Sequence, residues 1–189
     1  MLDKSVEFHR VIMHRKQGTP VPDSALADDF KFARFEDGDE KEWALIETSV
    51  GEFDRSVDAL VYFQENYLPY KEEVRRRTIF IENSEGKKIA TLTNWWGYTG
   101  FRRDPWLHWV AVKPEYQNLG LGKAIIFEGM KRMLKIEGDT DIYLPTQTWS
   151  YKAIGIYQKA GFEITPEKGL GGFDNEYEQA LPVLEKVMK

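Results

Sequence analysis

The run Gln117-Asn118-Leu119-Gly120-Leu121-Gly122 is where residue type and spacing in this chain point most directly to chemistry. Glycine lets the backbone come close to a ligand, and a side chain at Gly120 or Gly122 would hold an anion away from the N–H groups. Before the run lies Trp106-Leu107-His108-Trp109-Val110-Ala111-Val112, whose aromatic and β-branched residues read as a strand. After it, Lys123-Ala124-Ile125-Ile126-Phe127 opens a helix. Strand, glycine turn and helix N-terminus together offer free N–H donors at the positive end of a helix dipole. The ligand this predicts is an anion of the pyrophosphate type, with Lys123 and Lys152 as further phosphate contacts.

Two common nucleotide loops do not fit. A dinucleotide fingerprint needs a third glycine three residues on, where this chain has Ile125. A Walker loop needs Ser or Thr after Gly-Lys, and Gly122-Lys123 is followed by Ala124.

Composition narrows the chemistry further. There is no cysteine, which removes disulfides, thiol nucleophiles and cysteine metal sites together. The histidines are His9, His14 and His108, too few and too scattered for a zinc site, so no metal is expected. A net charge of −5 argues against nucleic-acid binding, which calls for a basic face. No apolar run reaches the roughly 20 residues of a membrane helix. The N-terminus mixes charges throughout and lacks a signal-peptide core. A cytoplasmic protein is expected, and its 189 residues suit one domain burying roughly 70% of its unfolded surface.

The elements that position the loop follow from periodicity. Residues 2–16 carry Val6, Phe8, Val11 and Ile12 at helical spacing among charges, and Gly18 to Ser24 reads as a linker. Residues 1–29 are therefore expected to be a helical arm and linker, with His9 and His14 solvated on it. The main domain takes residues 30–189. Phe30–Phe35 alternates as a strand, and Asp37-Gly38-Asp39 leads into a helix through Trp43, Ala44 and Ile46. A second helix, Ser56–Tyr67, ends before Pro69. Strands Arg77–Glu82 and Lys88–Trp96, joined by the turn Asn83–Lys87, predict an antiparallel hairpin. After the strand at 106–112, a helix spans Gly120–Glu137 with Ile126, Met130, Met133 and Leu134 on one face. Ile142–Leu144 is a short strand closed by Pro145. A helix from Ser150, its N-cap, runs to Ala160 and stops at Gly161; Phe162–Thr165 is a strand. Asn175–Val187 reads as helical although it contains Pro182.

The segment Val110-Ala111-Val112-Lys113-Pro114-Glu115-Tyr116-Gln117-Asn118-Leu119-Gly120-Leu121-Gly122 resembles the acyl-CoA-binding motif of the GCN5-related N-acetyltransferase (GNAT) superfamily, Val-x-Val-x-Pro-x-x-Gln-x-x-Gly-x-Gly. Asn118 and Leu119 stand where an arginine-glycine or glycine-lysine pair is usual. A second segment, from Ser150 through Ala153 and Tyr157 to Gly161-Phe162, resembles the family's Asn-x-x-Ala-x-x-x-Tyr-x-x-x-Gly-Phe, with serine replacing asparagine. The two lie about 35 residues apart in the family's order, and the resemblance covers about residues 30–165.

This resemblance implies a single-domain α/β (α+β) fold: a mixed, mostly antiparallel sheet flanked by helices and splayed between its fourth and fifth strands, 106–112 and 142–144. It implies acetyl-CoA as cosubstrate, with Val110, Ala111 and Val112 along its pantetheine arm. Gln117 to Gly122 and Lys123 would hold the pyrophosphate, and Ser150 and Tyr157 would meet the cofactor further along. The implied reaction is direct attack of a primary amine on the thioester, without a metal. The family's tyrosine at the position of Tyr157 is a general acid, and a phenol with pKa near 10 suits protonation of a leaving thiolate. An amine with pKa about 10.4 needs a base, and His108, with an ordinary pKa near 6.5, is the candidate. Glu72, Glu73 and Asp104 are alternatives, and the backbone N–H of Val110 is the candidate oxyanion donor.

The acceptor is expected to be a small amine or a protein amine, with nucleic acid and membrane excluded and a homodimer left open. Two other readings stand beside this one. One is an acyl-CoA-binding sensor without turnover. The other is a protein lysine or N-terminal acetyltransferase that docks through residues 1–29. The tryptophans 95, 96, 106 and 109, with Tyr62, Phe63, Tyr67 and Tyr70, are expected as core or as the lining of an amine site. Arg75-Arg76-Arg77 is either a solvated run or a phosphate contact.

Overall fold

The computed structural model describes residues 2–167 and 170–188. In chain order its elements are β1 (Arg10–Arg15), β2 (Phe30–Arg34), α1 (Glu40–Ser49), α2 (Ser56–Asn66), α3 (Lys71–Arg77), β3 (Thr78–Asn83), β4 (Lys88–Thr99) and β5 (Arg102–Val112). There follow α4 (Leu121–Glu137), β6 (Ile142–Gln147), α5 (Tyr151–Lys159), β7 (Glu163–Ile164) and α6 (Tyr177–Val187). The strands form a seven-stranded mixed sheet in the order β2-β3-β4-β5-β6-β1-β7. Its registered pairs are antiparallel except β5 with β6, which run parallel at Trp106↔Tyr143. These two are the strands expected to part, and they are β5 and β6 because an additional strand precedes them.

The chain divides into two compact units. One holds residues 23–93 and 109–129; the other holds 2–22, 94–108 and 130–189. In the first unit, β2, β3 and the start of β4 pair antiparallel, confirming the expected hairpin between β3 and β4. Helices α1 and α2 bury Trp43, Ala59 and Phe63 completely. A buried aromatic side chain removes about 150–250 Å² from water, an upper bound of roughly 4–6 kcal/mol for Trp43 alone. Helix α3 was not expected from the sequence. Its arginines pair with its own carboxylates: Arg75 with Glu72, Arg76 with Glu73 at 2.9 Å, and Arg77 with Glu73. Arg75 also forks onto Asp37 at 2.9 Å, so the run is held in ion pairs on and beside α3.

The second unit carries the main correction. Residues expected to form a helical arm contain β1, which pairs with β6 on one side and β7 on the other. Val11, Ile12 and Met13 are all buried. A strand covered on both faces shows a continuous apolar run, and over so few residues such a run also fits helical spacing. His9 and His14 are accordingly not solvated helix residues. His9 sits between the carboxylates of Glu7 (3.3 Å) and Glu176 (3.4 Å), and His14 stacks on Tyr143 with centroids 4.6 Å apart. Strand β6 runs through Pro145 to Gln147 instead of stopping at it. Close approach also governs this unit. A Cβ at Gly97 would lie 2.0 Å from Cζ2 of Trp106, so only glycine admits that indole.

Candidate active site

The loop between β5 and α4 begins with a short 3-10 turn at Pro114–Tyr116. The Gln117 side chain donates from Nε2 to the Val112 carbonyl at 2.9 Å, which ties the loop back to the strand. Gln117 therefore shapes the turn, whatever else it meets. Asn118 (φ 65°) and Gly120 (φ 80°) are both left-handed, with Leu119 between them. Left-handed backbone costs an ordinary residue about 1–2 kcal/mol, least for asparagine, which explains Asn118 at a position where the resemblance offers glycine. Space around Gly120 is open, so its conformation, not crowding, calls for glycine.

Alternating backbone of this kind turns successive N–H groups inward as an anion nest. The first helical bond of α4 runs from Ala124 N to Gly120 O at 3.0 Å, so the N–H groups just ahead of Ala124 lie at the unsatisfied helix start. No acidic residue occupies the first turn of α4. Lys123 is exposed beside Phe127, its Nζ 5.8 Å from the ring. A recess of about 140 Å³ opens here between Leu119, Gly120, Lys123 and Phe127 on one side and Ser24 and Leu26 on the other. The stretch around Ser24, expected as a featureless linker, thus forms part of the loop's surroundings. These donors and this charge fit a phosphate-bearing group.

Strand β5 departs from regular pleating at Trp109, which has φ 51°. A residue held there costs about 1–3 kcal/mol and breaks strict face alternation. His108 keeps its place beside Trp106, with ring centroids 6.2 Å apart. Strict alternation would set Val110 on the face of Trp106 and His108, but that pattern does not carry past Trp109. The Trp109 indole instead packs against Trp43 (5.5 Å), Phe53 (5.3 Å) and Tyr62 (5.2 Å) of the first unit. The aromatic set inferred from sequence therefore divides. Tyr62, Phe63, Tyr67 and Trp109 cluster around Trp43, whereas Trp95 and Trp96 stack on each other at 4.2 Å and Tyr70 is exposed.

Desolvation pushes the His108 ring down to about 4 from its ordinary 6.5. It is neutral at pH 7, and a weaker base than the sequence led one to expect. The alternatives are committed elsewhere. Glu72 and Glu73 hold arginines of α3, while Asp104 accepts from Thr99 Oγ1 and Arg102 Nε, both at 2.6 Å.

His108, Ser150 and Tyr157 all belong to the second unit; Val110 to Val112, the loop and Lys123 belong to the first. Tyr157 is 5% exposed on α5, with its ring 6.3 Å from Phe162. Ser150 lies at the start of α5 without making a side-chain cap; its hydroxyl accepts from Gln147 Nε2 at 3.3 Å. Lys152 is exposed, with Nζ 5.8 Å from the Tyr151 ring. Sequence reasoning missed the backbone turn at Trp109, at which only the alternation-breaking pair His108-Trp109 hinted.

Among the described residues no helix is long and apolar enough to cross a membrane, and no group of three or more His, Cys, Asp or Glu could hold a metal ion. The profile of the Acetyltransferase (GNAT) family matches residues 32–162. An N-alpha-acetyltransferase of Sulfurisphaera tokodaii is 32% identical over 74 residues, covering 36% of this chain and 44% of that protein. The chain thus matches less than half the length of this relative. In fold, it resembles a GCN5-related N-acetyltransferase from Sphaerobacter thermophilus (TM-score 0.66, 16% identity, 85% of this chain and 49% of the other). It also resembles the ribosomal-protein-S18-alanine N-acetyltransferase of Escherichia coli (TM-score 0.54, 22% identity, 71% and 77%). The matched span takes in the anion nest, His108 and Tyr157 and exceeds half of the chain, so the chain belongs to the GNAT acetyltransferase family.

Proposed function

We propose that this protein is a cytoplasmic N-acetyltransferase that moves an acetyl group from acetyl-CoA to a primary amine. The observation that carries the reading is the left-handed pair Asn118 and Gly120 at the start of α4, inside the span matched by the family. Acetyl-CoA supplies an activated thioester carbonyl and a thiolate leaving group. Amides of the loop and Lys123 hold its phosphates, and Val110 to Val112 offer strand backbone to its arm. The Val110 N–H stabilises negative charge developing on the carbonyl oxygen. Tyr157 gives its proton to the departing sulfur, and Ser150 orients the cofactor near it.

His108 takes a proton from the nitrogen as the C–N bond forms, directly or through water. A base with a pKa of about 4 draws little from a free ammonium, but the attacking nitrogen becomes strongly acidic once bonded to carbon. The relative named N-alpha-acetyltransferase keeps protein N-termini among the acceptors, beside small amines.

Mixing the protein with acetyl-CoA and a library of small amines and short peptides should release free thiol with at least one of them. Tight acetyl-CoA binding with no release across the library would favour an acyl-CoA sensor instead.

The His108 assignment has its own signature. Dividing the wild-type kcat/KM profile by that of His108→Ala cancels the acceptor's titration. The ratio should stay level from about pH 8 downward and fall as pH drops through about 4, because the base is lost on protonation. A ratio near one throughout would remove His108 from this role.

A further inference from the structure

Glu47 lies on the inner face of α1, four residues after Trp43, and its side chain is buried to 1% exposure. Its Oε1 has no hydrogen-bond partner, and neither has the buried Nε1 of Trp43. A buried carboxylate oxygen without a partner is costly, so folded proteins avoid the arrangement unless something else meets the group. Around Trp43, one helical turn before it, the packing is aromatic. Trp43 lies 5.5 Å from Trp109 and 6.3 Å from Tyr62, and the phenols of Tyr62 and Tyr67 both face the Trp109 indole.

Phe53, Tyr62 and Trp109 contact one another at 5.2–5.6 Å and are each only half-buried, so the cluster reaches solvent on that side. Phe53 belongs to the connection between α1 and α2, whose Gly51 is left-handed at φ 88°. The titratable groups set against Glu47 are Glu52 from this connection and Tyr67 at the end of α2, and neither carries positive charge. The missing partner is a cation.

We propose that Glu47 and the aromatic face of Phe53, Tyr62 and Trp109 receive the acceptor, a primary amine with an apolar aromatic body, with Glu47 as counter-ion to its ammonium. The proposal rests on the reading of the chain as an amine acetyltransferase and assigns that reaction's acceptor. The amine's ring lies on the half-buried aromatic face, and its nitrogen becomes the partner that Glu47 Oε1 lacks. Burial, and after it the charge of Glu52, push the Glu47 carboxyl well above its ordinary range, which favours its neutral form in the empty site. An ammonium and a carboxylic acid that come to share one proton must lose the other. Whichever of the two keeps the shared proton, one proton passes to solvent for each amine bound.

Titration calorimetry with phenethylamine, without acetyl-CoA, in buffers of different ionisation enthalpy counts that proton. Near pH 7 about one proton should be released per amine bound, while 2-phenylethanol, with the same body and no amine, should release none. Glu47→Gln should abolish the proton release and weaken phenethylamine at least about tenfold, which is about 1.4 kcal/mol. Phe53→Ala, in the surface connection, should weaken binding of both probes and leave the proton count unchanged. Binding by wild-type protein without proton release, or equal affinity in Glu47→Gln, overturns the proposal, and so does no binding of phenethylamine; the wild-type count needs no variant to fold. Proton-linked binding with no thiol release for any amine would sink the acetyltransferase reading and leave this site standing.

Discussion

Replacing Tyr157 with phenylalanine should lower kcat about 10²-fold or more, the range a positioned general acid contributes, while leaving acetyl-CoA affinity nearly unchanged. The reason is the leaving group. Aminolysis expels a thiolate whose conjugate acid, if it resembles cysteine, has a pKa of about 8.5, and a phenol near 10 can protonate it as the bond breaks. Phenylalanine keeps the ring that packs at 6.3 Å from Phe162 and removes only the hydroxyl. A purely structural Tyr157 would change the melting temperature and spare kcat. Varying the leaving group separates the two. The loss in Tyr157→Phe should shrink with an acetyl thioester of a more acidic thiol, because a better leaving group needs less help. A loss of the same size for every thioester, or undiminished turnover, would take the acid role away from this residue.

Removing residues 2–22 should leave no folded protein. Val11, Ile12 and Met13 are buried to about the degree of the central core, and burying each such side chain contributes about 1.5–3 kcal/mol. Their sum is comparable with the whole stability of a domain, about 5–15 kcal/mol. The deletion also strips β6 and β7 of their common antiparallel partner and leaves Glu176 without the Arg10 N–H it accepts from at 2.8 Å. Circular dichroism and thermal unfolding of the truncated chain test this, with Ile12→Ala as the milder version at about 2–5 kcal/mol. A truncated protein that melts as the full chain does would restore the docking-arm reading, in which these residues serve only a partner.

The site was legible wherever its chemistry is local. Strand, Gly120-containing turn and helix follow one another along the chain, and a left-handed residue announces itself as glycine or asparagine. Tyr157 and Gly161-Phe162 fall within one helix and its stop, so their spacing also survives in sequence. The N-terminal strand was not legible, since periodicity over a run as short as Val11-Ile12-Met13 fits a buried strand and a helix turn equally. Nor was Glu47. A glutamate in an amphipathic segment looks solvated until the fold buries it, here to 1% exposure with the distant Tyr67 set against it.

By itself, then, the sequence determined the strand, left-handed turn and helix around Gly120, named an acid candidate and set the order of most elements, because these depend on backbone preference and short spacing. Tertiary structure alone decided that residues 10–15 lie within the sheet and that Trp109 leaves the strand's alternation. It also decided the desolvation of His108 and Glu47, which moves their titration in opposite directions. Those outcomes depend on strand pairing and desolvation, both set by groups far away along the chain.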